Sequence, residues 1–121
     1  MIISTGLAAT FGSLVHFKPK RIWIDGGYHG THQSIAVYQR LSPAVEVLDL
    51  SSDAPSLLEG RIAPGDLVWL ESPKNPYCEV ADMAAFAQLT ASVAGAHTVV
   101  DSTFAPPPLQ VTRRMRHAVH S

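Results

Sequence analysis

Short apolar runs alternate with segments whose apolar residues recur at helical spacing, and that alternation constrains the fold more than any other feature of the chain. The runs are Arg21 to Ile24, Val45 to Leu50, Asp66 to Leu70 and His97 to Val100. Each is short, rich in β-branched or aromatic residues and bounded by glycine, proline or polar residues, which reads as a buried strand. Between them the spacing predicts helices. Leu7, Phe11, Leu14 and Val15 share one helical face, with Ser4 or Thr5 as cap and Lys18-Pro19 as stop. Ile35, Tyr38 and Leu41 do the same over Thr31 to Leu41, ahead of Pro43. A third helix is expected over Val80 to Val93, where Met83, Phe86 and Leu89 supply the apolar side and Gly95 the end. Ser51 to Pro64 is expected to be a loop with a short helical piece, and the tail after Leu109 offers a short strand at Ala118-Val119. Strands alternating with helices predict an α/β domain built on a mostly parallel sheet with right-handed crossovers.

Composition supports one modest domain with its own core. The chain has 121 residues, 46% of them hydrophobic, and a net charge of -1. The basic cluster Arg113-Arg114-Met115-Arg116 is short and local, so a nucleic-acid partner is not expected. No apolar stretch of roughly 18 residues occurs, so no spanning helix and no membrane partner are expected. Cys78 is the single cysteine, which excludes an internal disulfide and suits a reducing compartment. Met1-Ile2-Ile3-Ser4 lacks the basic region of a signal peptide, so a cytoplasmic location is expected.

Chemistry is expected where the strands end. In an open parallel sheet, ligands bind beyond the carboxyl ends of the strands. The run His97-Thr98-Val99-Val100 ends abruptly in Asp101, followed by Ser102, Thr103 and three prolines. Asp101 either holds a ligand there or simply forms a turn, which is common for aspartate. The turn after Ile24 carries Tyr28, and the proline-fixed loop after Leu70 carries Asn75. The helix beginning near Ser4-Thr5-Gly6 points free amides toward the same edge and would attract an anion such as phosphate. An aromatic ring, an amide, an acid and a phosphate cradle together suit a flat phosphorylated heteroaromatic ligand. Two histidine pairs, His29 with His32 and His117 with His120, have the spacing of zinc ligands, but nothing recognisable accompanies them. Gly26-Gly27-Tyr28-His29-Gly30 lacks the glycine spacing of a dinucleotide-binding loop.

At these positions the chain resembles the cysteine and methionine metabolism family of pyridoxal-phosphate enzymes, which includes cystathionine γ-synthase and γ-lyase. Leu70-Glu71-Ser72-Pro73-Lys74-Asn75-Pro76, followed by Val99-Val100-Asp101-Ser102-Thr103-Phe104, is similar to the family's E-[TS]-P-x-N-P and V-V-D-N-T-F segments. Ser4 to Ala9 resembles its S-S-G-M-A-A phosphate segment, Tyr28 to Thr31 its Y-G-G-T, and His120-Ser121 the start of its H-S-A-T-K. The resemblance implies a partial large domain of a fold-type I transferase, residues 1–121, binding pyridoxal 5'-phosphate. It implies that Asp101 pairs with the pyridine nitrogen, Tyr28 stacks on the ring and Asn75 bonds the ring hydroxyl. Gly6 and Leu7 would hold the phosphate through their amides, Ser121 through its hydroxyl, and Thr103 would sit against the cofactor. The parent reaction would be γ-replacement or elimination on homoserine esters or sulfur amino acids, in a homotetramer resembling the synthase branch.

The departures from the family bear on mechanism. The chain stops at Ser121, where the family continues toward its Schiff-base lysine, and its lysines are Lys18, Lys20 and Lys74. The family's N-terminal segment and C-terminal domain are also missing from it. The expectation is therefore a fragment that binds the cofactor non-covalently at best and is inactive, with no catalytic residue of its own. A non-catalytic remnant that binds a partner or a full-length relative is the alternative. Ser102 replaces an asparagine, Val111 to Arg116 does not resemble the family, and His29 replaces a glycine, which could restrict a position of positive φ.

Overall fold

The computed structural model describes residues 3–50, 55–106 and 109. Helix α1 (Gly6–Phe17) starts where the Thr5 hydroxyl accepts the Ala8 amide at 3.2 Å. It ends at Lys18, whose φ of 47° turns the chain toward Pro19 while its amide closes on Leu14 O. Strand β1 (Arg21–Ile24), helix α2 (His29–Leu41) and strand β2 (Glu46–Asp49) follow. A 3-10 turn at Pro55–Leu58 leads to β3 (Asp66–Glu71), then α3 (Met83–Ala91) and β4 (His97–Asp101). The expected strand at Ala118-Val119, the basic cluster Arg113 to Arg116 and part of the expected loop at Ser51 lie outside the described residues.

All four strands are parallel, in the order β2-β1-β3-β4. The alternating pleat sends neighbouring side chains to opposite faces. Ile22, Ile24, Leu67, Trp69 and Val99 pack with Leu14 of α1 and Ile35 and Tyr38 of α2. Trp23, Val68, Leu70 and Val100 pack on the other side with Phe86 of α3, Leu58 and Ile62. Burial on both faces explains why β1, β3 and β4 read as continuous apolar runs rather than alternating ones. Strand β2 lies at the edge, and Val47 there is 40% exposed.

Two helix starts differ from the sequence expectation. Helix α3 begins at Met83 rather than near Val80, because the Asp82 carboxylate accepts the Ala85 amide at 3.0 Å and starts the helix there. Val80 and Ala81 instead run along the loop, with Ala81 N bonded to Ser72 Oγ. Helix α2 begins at His29, two residues earlier than Thr31, with Tyr28 extended before it. His29 is therefore helical, and the positive φ of this turn, 86°, falls on Gly27. The substitution at position 29 restricts nothing.

At the strand starts, an ion pair between buried Asp66 and partly exposed Arg21 closes the sheet. Asp66 is 1% exposed and accepts from Arg21 Nε at 2.8 Å and Nη2 at 2.6 Å, Trp23 Nε1 at 2.8 Å and Ala63 N at 3.0 Å. Burial alone would raise the pKa of this carboxyl, but the Arg21 hydrogen bond, the Ala63 amide and the Trp23 indole together hold it below the ordinary value. The Arg21 and Arg61 guanidiniums both lie over the Trp23 ring, 5.5 and 5.0 Å from its centroid.

Candidate functional site

Because the sheet is parallel, the turns after β1, β3 and β4 open on one edge, beside the N-terminus of α1. Strand order makes one place on this edge special. The chain leaves β1 for β2 on one side and returns to β3 on the other, so a crevice opens between the ends of β1 and β3. Glu71, the last residue of β3, spans it. Its Oε2 accepts the Tyr28 amide at 2.6 Å and its Oε1 accepts the Asn75 amide at 2.9 Å. Two residues singled out from sequence are thus held by one carboxylate. A second tie joins the same loops: Lys74 Nζ meets Asp25 Oδ2 at 2.8 Å and Glu79 Oε2 at 2.6 Å. The Asp25 and Glu79 hydrogen bonds raise the Lys74 pKa, so this amine is protonated.

Glycine is required twice in the Tyr28 turn. A Cβ on Gly27 would strike the Glu71 carboxylate, on top of the cost of its positive φ. A Cβ on Gly30 would strike the Tyr28 ring and come within 2.8 Å of Leu7 Cδ2. The Tyr28 ring thus lies across the helix start, beside Leu7 of α1. It is 37% exposed and meets the His29 ring edge-on at 4.8 Å. The Asn75 carboxamide makes no hydrogen bond among the described residues.

Asp101 pairs in register with Glu71, so the two carboxylates are neighbours at the strand ends. Thr103 donates to Asp101 Oδ1 twice, from its amide at 3.0 Å and its hydroxyl at 2.6 Å. Asp101 is therefore a turn former, as the plain reading of an aspartate after a strand had it. Oδ2 nevertheless accepts nothing among the described residues, which leaves it free for a ligand donor. Thr103 reaches the site by orienting Asp101. Gly6 and Asp101 line one shallow, open pocket, together with Thr10 and Trp69. The Trp69 indole N–H is buried there with no hydrogen-bond partner among the described residues. The amides of Gly6 and Leu7, in the first turn of α1, also lack acceptors among them.

Six of the seven residues expected to bind the cofactor therefore lie along one edge: Gly6, Leu7, Tyr28, Asn75, Asp101 and Thr103. Ser121 lies outside the described residues, as do His117 and His120. The other histidine pair is diverted, since His32 Nε2 pairs with Gly26 O at 2.6 Å. Among the described residues no group of three histidine, cysteine, aspartate or glutamate side chains is placed to hold a metal. Sequence reasoning missed Glu71, Gly27 and Gly30. The signal for Glu71 was present: like Asp101, it is an acid that ends an apolar run.

These donors and acceptors fit pyridoxal phosphate. Free amides on a helix N-terminus suit its phosphate, a free carboxylate oxygen suits a ring N–H, and an uncommitted carboxamide and an exposed aromatic face suit the remainder. Comparison with known proteins agrees. Residues 1–118 match the family described as Cys/Met metabolism PLP-dependent enzyme. Mouse cystathionine gamma-lyase is 33% identical over 108 residues, covering 86% of this chain and 27% of the relative. The crystal structure of metB from Corynebacterium glutamicum superimposes with a TM-score of 0.81 at 30% identity, over 98% of this chain and 32% of that one. Cystathionine gamma-lyase from Lactobacillus plantarum, solved with L-serine, gives 0.81 at 26% identity, over 97% and 32%. The chain spans about a third or less of the length of each. It belongs to the Cys/Met metabolism family of pyridoxal-phosphate-dependent enzymes.

Proposed function

We propose that residues 1–121 form part of the cofactor-binding domain of a trans-sulfuration enzyme, with pyridoxal phosphate held along the edge described. The observation that carries this reading is the free Oδ2 of Asp101, oriented by Thr103 beside the helix N-terminus. Asp101 would accept the ring N–H and keep that proton in place, because a nearby carboxylate favours the cationic form. Tyr28 would cover one ring face with its flat body. Asn75 would bond the ring hydroxyl, and the Gly6 and Leu7 amides, with Ser121, would hold the phosphate. When bound, the cofactor supplies an electron sink for charge developing on a substrate carbon. The parent reaction is γ-replacement or elimination on a homoserine ester or a sulfur amino acid, of the cystathionine γ-synthase type, in a cytoplasmic homotetramer.

The 121-residue chain itself is proposed to bind the cofactor without turnover. Lys18 closes the C-terminus of α1, and Lys20 lies along Gly65, both near the strand starts. Lys74 is on the right edge but is protonated between two carboxylates, and an ammonium is no nucleophile. Titration with pyridoxal phosphate, followed by absorbance and induced circular dichroism, tests the reading. Saturable binding that borohydride does not fix to a lysine is expected, with no turnover of a homoserine ester. A borohydride-stable lysine adduct with turnover overturns the inactivity.

A second reading is favoured by exposed apolar side chains on α2 and β2. Leu41 is 69% exposed, and Val37 and Val47 are about half exposed. Such surface suits a protein partner, for instance a full-length relative. Co-elution of the chain with that relative on sizing supports it, and separate elution at micromolar concentration rejects it.

A further inference from the structure

We infer that Glu71 is a positioning residue that makes Tyr28 and Asn75 a single cofactor-contacting unit. The inference rests on the cofactor reading above and adds to it a residue that touches no ring atom. The two contacts come from different loops, after β1 and after β3, on opposite sides of the crevice at the switch in strand order. Neither loop is tied to the other by a regular ladder beyond Ile24 and Trp69. Across that gap one carboxylate uses one oxygen for each amide, at 2.6 and 2.9 Å. Amides bonded to an ionised carboxylate are held more firmly than amides bonded to a neutral oxygen. Fixing the Tyr28 backbone fixes where its ring enters α2, over Gly30. Fixing the Asn75 backbone fixes where its carboxamide leaves the loop. The separation between a stacked ring and a hydroxyl-bonding amide is then set by the width of one carboxyl group.

Gly27 belongs to the same device. Its absent side chain leaves the space in which Glu71 Oε2 sits, and its φ of 86° turns the Tyr28 amide onto that oxygen. Gly27 and Glu71 therefore act through the same bond. Lys74 joins the same two loops by pairing with Asp25, but its ammonium bonds neither amide.

Glu71→Gln tests this with little change in size. Glutamine keeps one acceptor oxygen and turns an NH₂ toward the other amide, so one of the two loops loses its hold. Pyridoxal phosphate should bind the variant about tenfold more weakly, the loss expected for one hydrogen bond to a charged group. Its induced circular dichroism should fall as the ring loses its fixed orientation. Inorganic phosphate, followed by NMR at the Gly6 and Leu7 amides, should bind the variant and the parent chain equally. General loosening of the fold would weaken both ligands and overturns the inference. Gly27→Ala should weaken pyridoxal phosphate similarly, and the double variant should be no worse than the more affected single one. Additive losses overturn the shared bond. If the parent chain binds pyridoxal phosphate and Glu71→Gln binds it equally well with the same dichroism, Glu71 has no positioning role and the cofactor reading stands. If the parent chain does not bind it at all, both fall.

Discussion

The two ends of the sheet each carry a buried or half-buried aspartate, and they are finished differently. At the strand starts, Asp66 accepts four hydrogen bonds divided over both carboxylate oxygens, from a guanidinium, an indole and an amide. At the strand ends, Asp101 accepts two, both from Thr103 and both on Oδ1. The first acid is satisfied by its own fold and is 1% exposed. The second is oriented by its fold and left with an oxygen to spare. The same contrast separates the indoles: Trp23 donates to Asp66, whereas Trp69 is buried beside the pocket without a partner among the described residues. A saturated polar group stabilises, and an oriented but unsaturated one is ready for a ligand, because the cost of leaving it unpaired is recovered when the ligand arrives.

The sharpest way to break the comparison is to exchange the acids' fates. Asp66→Asn removes the charged acceptor of Arg21, Trp23 and Ala63 at a buried position and should lower unfolding stability by about 2 kcal/mol, read from urea denaturation. Acid should act through the same group. The folded pKa of Asp66 lies below its unfolded value, so the unfolded chain takes up the proton first as pH falls. The stability contributed by Asp66 is then fully present above the ordinary carboxylate range, and is lost as pH drops through the lowered value. Urea midpoints measured from neutral pH downward should show this loss, and Asp66→Asn should flatten it.

Asp101→Asn should do the reverse. Its amide oxygen can still accept from Thr103, so the urea midpoint should move by less than about 1 kcal/mol in stability. Pyridoxal phosphate should nevertheless bind at least about tenfold more weakly if Asp101 faces the ring nitrogen as proposed, since the charge there is gone. Equal effects of the two substitutions on stability would erase the distinction between the ends. The smallest effect is expected at Lys74. Its side chain is only 19% exposed but pairs with more exposed partners, so Lys74→Ala should cost about 0.5–1 kcal/mol, less at high salt.

Much of this was legible in the residues. Three of the four apolar runs, β1, β3 and β4, read as continuous because a strand covered on both faces needs apolar side chains at nearly every position, which leaves an unmistakable stretch such as Leu67-Val68-Trp69-Leu70. The start of α1 at Thr5 and its end at Lys18 were legible because caps and prolines act locally. The start of α3 was not, because apolar spacing continues back through Val80 while the decision is made by one Asp82 side chain. Strand order was not legible either, since it depends on pairings between distant runs. That is why the bridging role of Glu71 was hidden, although it ends an apolar run just as Asp101 does. Asp101 could be recognised by its position at a strand end. The value of Glu71 appears only once β1 and β3 are known to be neighbours, and the same holds for Arg21 and Asp66.

The pairing of Arg21 with Asp66 also sets a schedule for synthesis. The two residues are 45 positions apart in the chain. At roughly 5–20 residues per second, Arg21 leaves the ribosome's active centre about 2–9 seconds before its partner is even polymerised. By the end of that interval the residues of β1 and β2 have been polymerised, but those of the strand that sits beside β1 at the centre of the sheet have not. The arrival of Asp66 supplies the first residue of that strand and the partner of Arg21 in one event.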